Sequence, residues 1–478
     1  MKSSSTSNFN KQVTIMEIYR VKPKSATPTE SPTEITSLPL TFFDTFWFKF
    51  RPVERVFFFE LTQATSSYFN SVIVPTLKDS LSQTLSIFSP LAGSLTWPEN
   101  APAPSVLYRG PEDGVWLTVG ESNDPETFTR LSGFGQVTAA WSRACVPELE
   151  ATDSEAAVVS LQVTLFAGHG FSIGVSNHHA VLDGKSATMF VKAWAHINKL
   201  LLNNISNPSI PPELTPSFDR GSVNDPDELR LDYLRSWAEI TKSLPGLENP
   251  RSLKLLPATT FRSDPDNLVR ATYEISRQNI QKLREKIRSL DGSRIVDHLS
   301  TFVIAFSYTL VSLAKSREER PGSLLIAFTA DLRARIDQPL PETYFGNCVS
   351  PYWVTVGCEE LRGEDGILVA AEGLSKLISG LERGEALRGA KGKLGRLMEA
   401  TFKDGVEGIG VAGSPWFGVY GSDFGWGRPT KVEVTSIDAT GAVSMAESRD
   451  GNGGVEVGLV LDKHQMEVFC SLFAGGFD

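Results

Sequence analysis

Cysteine is scarce in this chain, and its copies stand far apart. No C-x-x-C pair or other zinc-type spacing occurs, so the sequence predicts no metal centre. So few cysteines also do not suggest the disulfide framework of a secreted domain, and we expect a reducing compartment, the cytoplasm. The positions are Cys145, Cys348, Cys358 and Cys470.

Long apolar runs and a surplus of positive charge are also missing. No apolar run reaches the roughly 18 residues of a membrane-spanning helix, and the Ser- and Thr-rich start lacks the apolar core of a secretory signal. The formal net charge is -10, which disfavours binding to nucleic acid or to an anionic membrane. Small molecules are therefore the expected partners, and we also expect the protein to be a monomer.

The length and the changes in composition predict two domains. At 478 residues the chain exceeds one ordinary core. We predict a disordered extension over 1–15, an N-terminal domain over 16–205 and a Pro-, Asn- and Ser-rich crossover over 206–250, with a C-terminal domain from 251. Strand and helix patterns alternate in both halves, so the expected fold class is mixed α/β.

Two of the six histidines stand side by side in the segment Asn177–Gly184. A predicted hairpin of apolar strands leads into it, and a predicted helix with Ser186 as N-cap follows. Adjacent strand residues point to opposite faces, so His178 and His179 cannot easily share one substrate. One of them can act as a general base, with Asp183 to orient it or to pair with an arginine. Two hydrogen-bonded structural histidines are the alternative.

Two further segments carry candidate chemistry. In Asp423–Gly427 the glycines permit a tight turn, and the indole N–H of Trp426 can point at a developing oxyanion. A packed loop in which the tryptophan fills core is the alternative. Arg333 and Arg335 follow a predicted buried strand and suit a phosphate or carboxylate, or else form a solvated face.

The patterns together resemble those of a known family. The H-x-x-x-D-G pattern of His179–Gly184, followed much later by D-F-G-W-G at Asp423–Gly427, resembles the BAHD family of plant CoA-dependent acyltransferases, from about Met16 to the C-terminus. Leu38–Asp44 and Tyr344–Cys348 resemble signatures of the branch that acylates anthocyanin, flavonoid and phenolic glucosides.

This resemblance implies a fold. We expect two similar domains of the chloramphenicol acetyltransferase type, each a mixed sheet flanked by helices, with a channel between them that CoA thioester and acceptor enter from opposite sides. A part of the C-terminal half, roughly 424–442, is expected to add strands to the first domain's sheet. The second domain would then comprise 251–423 and 443–478.

The resemblance also implies roles for individual residues. His179 is expected to deprotonate a sugar hydroxyl, and Trp426 to donate to the oxyanion. Asp423 is expected to be chiefly structural or, alternatively, a second base. The residues expected to support the site are Asp183, Gly184, Gly425 and Gly427. Those expected to contact CoA are Ser300, Thr301, Arg333, Arg335 and Arg55.

The expected reaction follows from the similarity of Gly170–Phe190 to malonyltransferases. It is transfer of malonyl from malonyl-CoA, as co-substrate, to a sugar hydroxyl of a phenolic or flavonoid glucoside, at the 6-position, without a permanently bound cofactor. A hydroxycinnamoyl-CoA donor with the same acceptors is the alternative. A condensation-domain-like enzyme, which also carries a double histidine, is a more distant one. A malonyl group needs a cation nearby, and the sequence does not identify which arginine supplies it.

Overall fold

The computed structural model describes residues 12–24, 36–110, 112–257, 267–290, 299–318, 322–381 and 385–477. Strands and helices alternate along both halves, which confirms the predicted mixed α/β class. No helix in these ranges is both long and apolar enough to cross a membrane.

The strands are numbered in chain order: β1 Val13–Val21, β2 Thr36–Pro39, β3 Val53–Glu60, β4 Ser94–Thr96, β5 Ser105–Tyr108, β6 Val115–Ser122, β7 Val137–Thr138, β8 Glu155–Ala157, β9 Val159–Phe166, β10 Gly170–Asn177, β11 Leu268–Ile275, β12 Ser323–Asp331, β13 Val349–Gly357, β14 Val406–Ile409, β15 Val411–Ser414, β16 Lys431–Val434, β17 Val443–Glu447 and β18 Val455–Asp462. The helices are α1 Phe42–Phe46, α2 Ser66–Tyr68, α3 Val74–Ile87, α4 Thr127–Ser132, α5 Ala139–Arg143, α6 Gly184–Leu202, α7 Leu229–Thr241, α8 Arg277–Leu290, α9 Thr301–Ser316, α10 Cys358–Arg362, α11 Gly366–Ser379, α12 Lys393–Thr401, α13 Ile437–Thr440 and α14 Lys463–Gly475.

A six-stranded sheet in the order β1-β6-β9-β10-β3-β16 organises the first half. Its middle strands β9 and β10 form the predicted antiparallel hairpin, and every residue of both is buried. Strands buried on both faces need cover from other elements. Part of this cover is α6, which packs against α3 and is tied to it by the bond from the Trp194 indole N–H to the Leu77 carbonyl, at 3.2 Å.

The second half has a separate apolar core. A five-stranded sheet in the order β15-β17-β18-β11-β7 and a three-stranded sheet in the order β13-β12-β14 belong to it. Helix α9 is buried almost all round and packs against α11 and α14. Helix α7 lies in the predicted crossover. A four-stranded sheet in the order β2-β5-β4-β8 is part of the first half.

Each half supplies one short strand to the other half's sheet. Strand β16 pairs antiparallel with β3, and β7 pairs with β11. The expected segment 424–442 thus contributes a single strand, because the short helix α13 follows β16 directly. The reciprocal strand β7 is only two residues long, too short for a period-2 pattern to reveal it.

Two predicted boundaries are wrong. Strand β1 begins at Val13 and pairs with β6, so the predicted extension over 1–15 is too long; residues 1–11 lie outside the described ranges. Helix α6 begins at Gly184, and its N-cap is Asp183 rather than Ser186. The Asp183 carboxylate accepts the Ser186 N–H at 2.8 Å, which satisfies a free donor of the first turn.

Candidate active site

The two histidines lie in the turn between β10 and α6, in different environments. His178 is fully buried, and its Nδ1 accepts the Ala180 N–H at 3.2 Å. Burial, with the nearby His179 and Lys49, lowers the pKa of His178 to about 3, so it stays neutral and structural. His179 is only partly buried. Of the two, His179 is therefore the one that a substrate can reach.

The His179 ring is held by an aromatic neighbour. It stacks on the Trp47 indole, with centroids 4.3 Å apart and planes 9° from parallel. Burial lowers the pKa of His179 below its usual value, although its own backbone, Asp183 and Asn347 act in the opposite direction. The imidazole is therefore neutral near pH 7, which is the form that accepts a proton.

Asp183 stabilises the turn between β10 and α6 through hydrogen bonds to other parts of the protein, and it does not orient the imidazole. Its Oδ2 accepts the Arg333 guanidinium at 2.8 Å and the Cys348 N–H at 3.1 Å, while Oδ1 caps α6. Arg333 is 1% exposed and also donates to the Tyr344 and Gly346 carbonyls, each at 3.1 Å. The predicted contact of Arg333 with CoA is therefore wrong, because its donors are used inside the protein.

Two segments that the sequence indicated only as branch signatures meet at this turn. Asp44 is fully buried, and its Oδ1 accepts the backbone N–H and the side-chain amide of Asn347 at 3.1 and 3.0 Å. Its Oδ2 accepts the Thr41 N–H at 2.8 Å. The Asn347 amide also donates to the His179 carbonyl at 2.8 Å. We call Asp44 and Asn347 the latch, since together they fix the backbone of the histidine.

Sequence reasoning did not identify the latch, although a signal was present. An aspartate next to the apolar Phe42 and Phe43 is expected to be buried, and a buried carboxylate needs donors. The sequence shows that need but not the donor, which is Asn347, 303 positions away.

Trp426 lies at the far end of β10 from His179. Its ring packs edge-on against Phe171, with centroids 5.5 Å apart. Six strand positions separate Phe171 from Asn177, a distance of about 20 Å. The indole N–H donates to the Tyr68 hydroxyl at 3.3 Å. The predicted role of Trp426 as oxyanion donor is therefore wrong, and the packed-loop alternative describes the structure.

Asp423 is equally remote from the histidine. It pairs with Lys199, at 2.7 Å, near the end of α6, whose length from Gly184 to that point is about 22 Å. It also accepts the N–H groups of Gly425 and Gly427, at 2.8 and 3.1 Å. Asp423 thus closes its own loop onto α6, and the alternative of a second base is wrong.

Two of the glycines expected to support the site allow close packing. A Cβ on Gly425, which has a φ of +100°, would lie 2.7 Å from a methyl carbon of Leu202 in α6. A Cβ on Gly184 would lie 2.6 Å from the Phe417 ring. Gly184 therefore lets Phe417 reach the first turn of α6, next to the histidine turn.

A cavity of about 930 Å³ lies between the two halves. One face of α6 forms part of its wall, through Lys185, Thr188, Met189 and Lys192. The start of α9, the end of β12 with the segment that follows it, the loop after β15 and several other segments also line the cavity. They contribute Ser300, Phe302, Phe328, Asp331, Arg335, Trp416 and Phe417, among others. The wall begins at Lys185, six positions beyond His179.

The residues expected to contact CoA are only partly brought together. Ser300 and Arg335 line the cavity. Thr301 is the first residue of α9, next to this wall, but is not part of it. Arg55 lies in β3, is buried, and donates to the Thr188 hydroxyl at 3.0 Å. We therefore correct the expectation that Arg55 contacts CoA: its buried side chain instead supports Thr188, a residue of the cavity wall.

The cations of the cavity differ in how far their charge is neutralised. Lys185 pairs with Glu342 and, at 3.6 Å, with Asp331. Lys192 donates to the Phe417 carbonyl at 2.8 Å, and Arg335 to the Leu381 carbonyl at 3.1 Å. Neither of these two forms an ion pair with another described residue. Lys192 and Arg335 are thus the wall cations with charge to offer an anionic ligand.

A neutral, partly exposed histidine on a braced turn, between two mixed sheets and near a large cavity, is the arrangement expected of a two-lobed acyltransferase. The crystal structure of vinorine synthase has this fold, with a TM-score of 0.65 and 18% identity, over 96% of this chain and 98% of that one. A family model described as "Transferase family" matches residues 11–474.

Relatives span the same length. Phenolic glucoside malonyltransferase 1 of Arabidopsis thaliana is 43% identical over 97% of both chains. From the same plant, malonyl-CoA:anthocyanidin 5-O-glucoside-6''-O-malonyltransferase is 39% identical over 98% of this chain and 100% of that protein. Agmatine coumaroyltransferase of Arabidopsis thaliana is also 39% identical, over 96% of this chain and 98% of that protein.

The chain therefore belongs to the Transferase family, the BAHD acyltransferases, which confirms the predicted resemblance. It is an acyl-CoA-dependent O-acyltransferase, and a CoA thioester is its co-substrate. The family match also removes the alternative of a condensation-domain-like enzyme.

Proposed function

We propose that this protein transfers a malonyl group from malonyl-CoA to the 6-hydroxyl of the sugar of a phenolic or flavonoid glucoside. The observation that carries the reaction type is the neutral His179, held by the latch beside a cavity large enough for CoA. The malonyl donor and the glucoside acceptor are supported by the relatives, two of which are named glucoside malonyltransferases.

His179 acts as the general base in this proposal. The Nε2 atom takes the proton of the sugar hydroxyl as its oxygen attacks the thioester carbonyl. The tetrahedral oxyanion collapses and expels the CoA thiolate, which takes the proton back from the imidazolium. A base with a lowered pKa is already deprotonated at pH 7, so no prior proton loss is needed.

Asn347 is proposed to position this base. Among the described residues, the buried Nδ1 of His179 and the buried Oδ1 of Asn347 both lack a hydrogen-bond partner. A ring N–H is a donor and an amide oxygen an acceptor, so the two groups complement each other. If Nδ1 carries its hydrogen toward Oδ1, Nε2 holds the lone pair that accepts the substrate proton.

CoA is proposed to lie in the cavity between the two halves. Lys192 and Arg335 provide positive charge for its phosphates, and Ser300 lies at the N-terminus of α9, where backbone N–H groups favour anions. Thr301, the first residue of α9, is proposed to lie next to the bound CoA. Arg333 and Arg55 are not proposed to contact CoA, because their side chains form hydrogen bonds inside the protein.

A hydroxycinnamoyl-CoA donor is the second candidate. It is favoured by one observation, the agmatine coumaroyltransferase that is 39% identical to this chain. That relative is as similar as the anthocyanidin malonyltransferase, so overall identity does not separate the two donors.

A competition assay tests the proposal. Purified protein is given equal malonyl-CoA and coumaroyl-CoA with a phenolic glucoside, and in a second series with agmatine. We expect a malonylated glucoside by mass, and NMR of the product should show the ester at the 6-oxygen. Efficient coumaroyl transfer without malonyl transfer would overturn the choice of donor, and acylation of agmatine alone would overturn the acceptor class.

We propose further that the protein acts as a monomer in the cytoplasm. Its four cysteines are free, as a reducing compartment would keep them. Light scattering coupled to size exclusion would test the monomer, and fractionation of cells that express the tagged protein would test the compartment. A dimer mass or an organellar fraction would contradict these two points.

A further inference from the structure

One aromatic side chain of the cavity wall is unusually exposed. Trp416 lines the cavity but is 83% exposed, the highest value among the large apolar side chains of the described ranges. An indole left open to water at the rim of a binding cavity is a surface that a flat ligand can cover. The ring is therefore a candidate contact for one of the two substrates.

The loop that carries this ring is fixed in place. The Trp416 N–H donates to the Ser414 hydroxyl at 3.2 Å, and the Phe417 N–H donates to the Ser414 carbonyl at 3.3 Å. The Phe417 carbonyl accepts the Lys192 ammonium, while its ring packs onto Gly184. The loop is thus held by its own hydrogen bonds at Ser414 and, through Phe417, by α6, so little further ordering is needed when a ligand covers the indole.

The cavity that Trp416 lines also holds cations that suit the phosphates of the donor nucleotide. Lys192 and Arg335, for which the described part of the chain provides no ion-pair partner, line this wall together with acidic residues, among which Asp331 and Glu342 pair with Lys185. The acceptor places its aromatic ring only a few bonds from the reacting hydroxyl, whereas CoA places its adenine at the far end of a long arm. A ring on the outer rim can therefore meet adenine while the thioester lies deeper, toward His179.

We propose that Trp416 stacks on the adenine ring of CoA and sets the enzyme's preference for full-length CoA donors over shortened ones. This inference rests on the proposed location of CoA in the cavity. Every nucleobase has a π-face, and stacking on an aromatic side chain typically strengthens binding by about 5- to 150-fold.

The experiment compares two donors with four proteins. The donors are malonyl-CoA and malonyl-pantetheine, which lacks the nucleotide. The proteins are the wild type, Trp416→Ala, Trp416→Phe and, as a control, Phe402→Ala, which removes an aromatic ring that is 68% exposed but does not line the cavity. We expect Trp416→Ala to raise KM for malonyl-CoA about tenfold with kcat unchanged, and Trp416→Phe to retain most of the affinity.

The shortened donor decides the interpretation. KM for malonyl-pantetheine should be the same in the wild type and in Trp416→Ala, since no adenine is present. Equal losses with both donors, or a change only in the acceptor KM, would overturn the proposal. Quenching of tryptophan fluorescence by CoA, present in the wild type and reduced in Trp416→Ala, gives a second measurement that is independent of turnover.

Failure of this inference can be told apart from failure of the proposed function. If the enzyme prefers coumaroyl-CoA, the same comparison is made with coumaroyl-CoA and coumaroyl-pantetheine. Malonyl transfer by all four proteins with an unchanged KM for malonyl-CoA would leave the function intact and remove the role of Trp416. Because the ring is exposed, its loss should leave the melting temperature unchanged, and that measurement guards against misfolding.

Discussion

His179 is neutral near pH 7 because burial lowers its pKa, and this predicts both a mutant phenotype and a pH profile. His179→Ala should reduce kcat by at least about 100-fold with little change in CoA affinity. In the wild type, kcat/KM should hold as pH falls through neutrality and be lost only below about 6.5, the usual value, since the base works deprotonated. His169→Ala, in the hairpin turn, is the control. Full activity of His179→Ala would contradict the assignment.

Asn347 is the residue whose role is best tested by two different substitutions. Asn347→Ala removes the latch and the hydrogen bond to the His179 carbonyl, and we expect kcat to fall by roughly 10- to 100-fold because the base is misplaced. Asn347→Asp puts a carboxylate beside the imidazole, which favours the protonated ring and raises the pKa of His179. The acid limb of kcat/KM should then move to higher pH.

A purely structural Asn347 would give a different result. Both variants would lower the melting temperature, because the buried Asp44 loses a donor or meets a second negative charge. The acid limb would, however, stay where it is in the wild type. The position of that limb, measured in both variants at a temperature well below unfolding, therefore separates positioning from support.

At the scale of elements, the conspicuous D-F-G-W-G segment packs against the remote ends of β10 and α6. Trp426→Phe keeps the ring next to Phe171 but removes the donor to Tyr68. We expect nearly wild-type kcat and a modest fall in melting temperature, since one partly buried hydrogen bond contributes about 1 kcal/mol. A loss of 100-fold or more in kcat without loss of stability would restore Trp426 as an oxyanion donor.

At the scale of the whole molecule, the halves are joined by exchanged strands and by charges. Arg143 of α5 pairs with Glu54 of β3 at 3.0 Å and with Asp438 of α13 at 2.6 Å. Arg270 of β11 donates to the Val434 carbonyl of β16 at 2.8 Å. Breaking a buried pair by removing one partner typically costs about 3–5 kcal/mol. The two halves therefore support each other's folding.

This joining predicts that the halves unfold together. Calorimetry of the wild type should show one main transition, in which the calorimetric and van't Hoff enthalpies are similar. Arg270→Met should lower the melting temperature or split the transition, because the bonds to β16 are lost. Two well-separated transitions in the wild type would contradict this coupling.

The sequence by itself determined much of the local structure and indicated one residue as the candidate base. Apolar spacing predicted the hairpin of β9 and β10, the helix α6 that follows it and the strand β12 before Arg333, because the strand and helix periods depend on residues close together in the sequence. Alternation of side chains along a strand led to the prediction that only one histidine of the pair can face a substrate, and the family resemblance selected His179. The structure places both histidines in the turn after β10, and the role of His179 as the base is our proposal.

Tertiary structure alone decided which distant residues meet. It paired Asp183 with Arg333, 150 positions apart, and Asp44 with Asn347, while it placed Trp426 far from His179, the proposed base that it was expected to assist. These outcomes depend on how the sheets of the two halves stack and exchange strands. Local periodicity carries no information on such contacts, so a motif can be conspicuous in the sequence and remote from the chemistry.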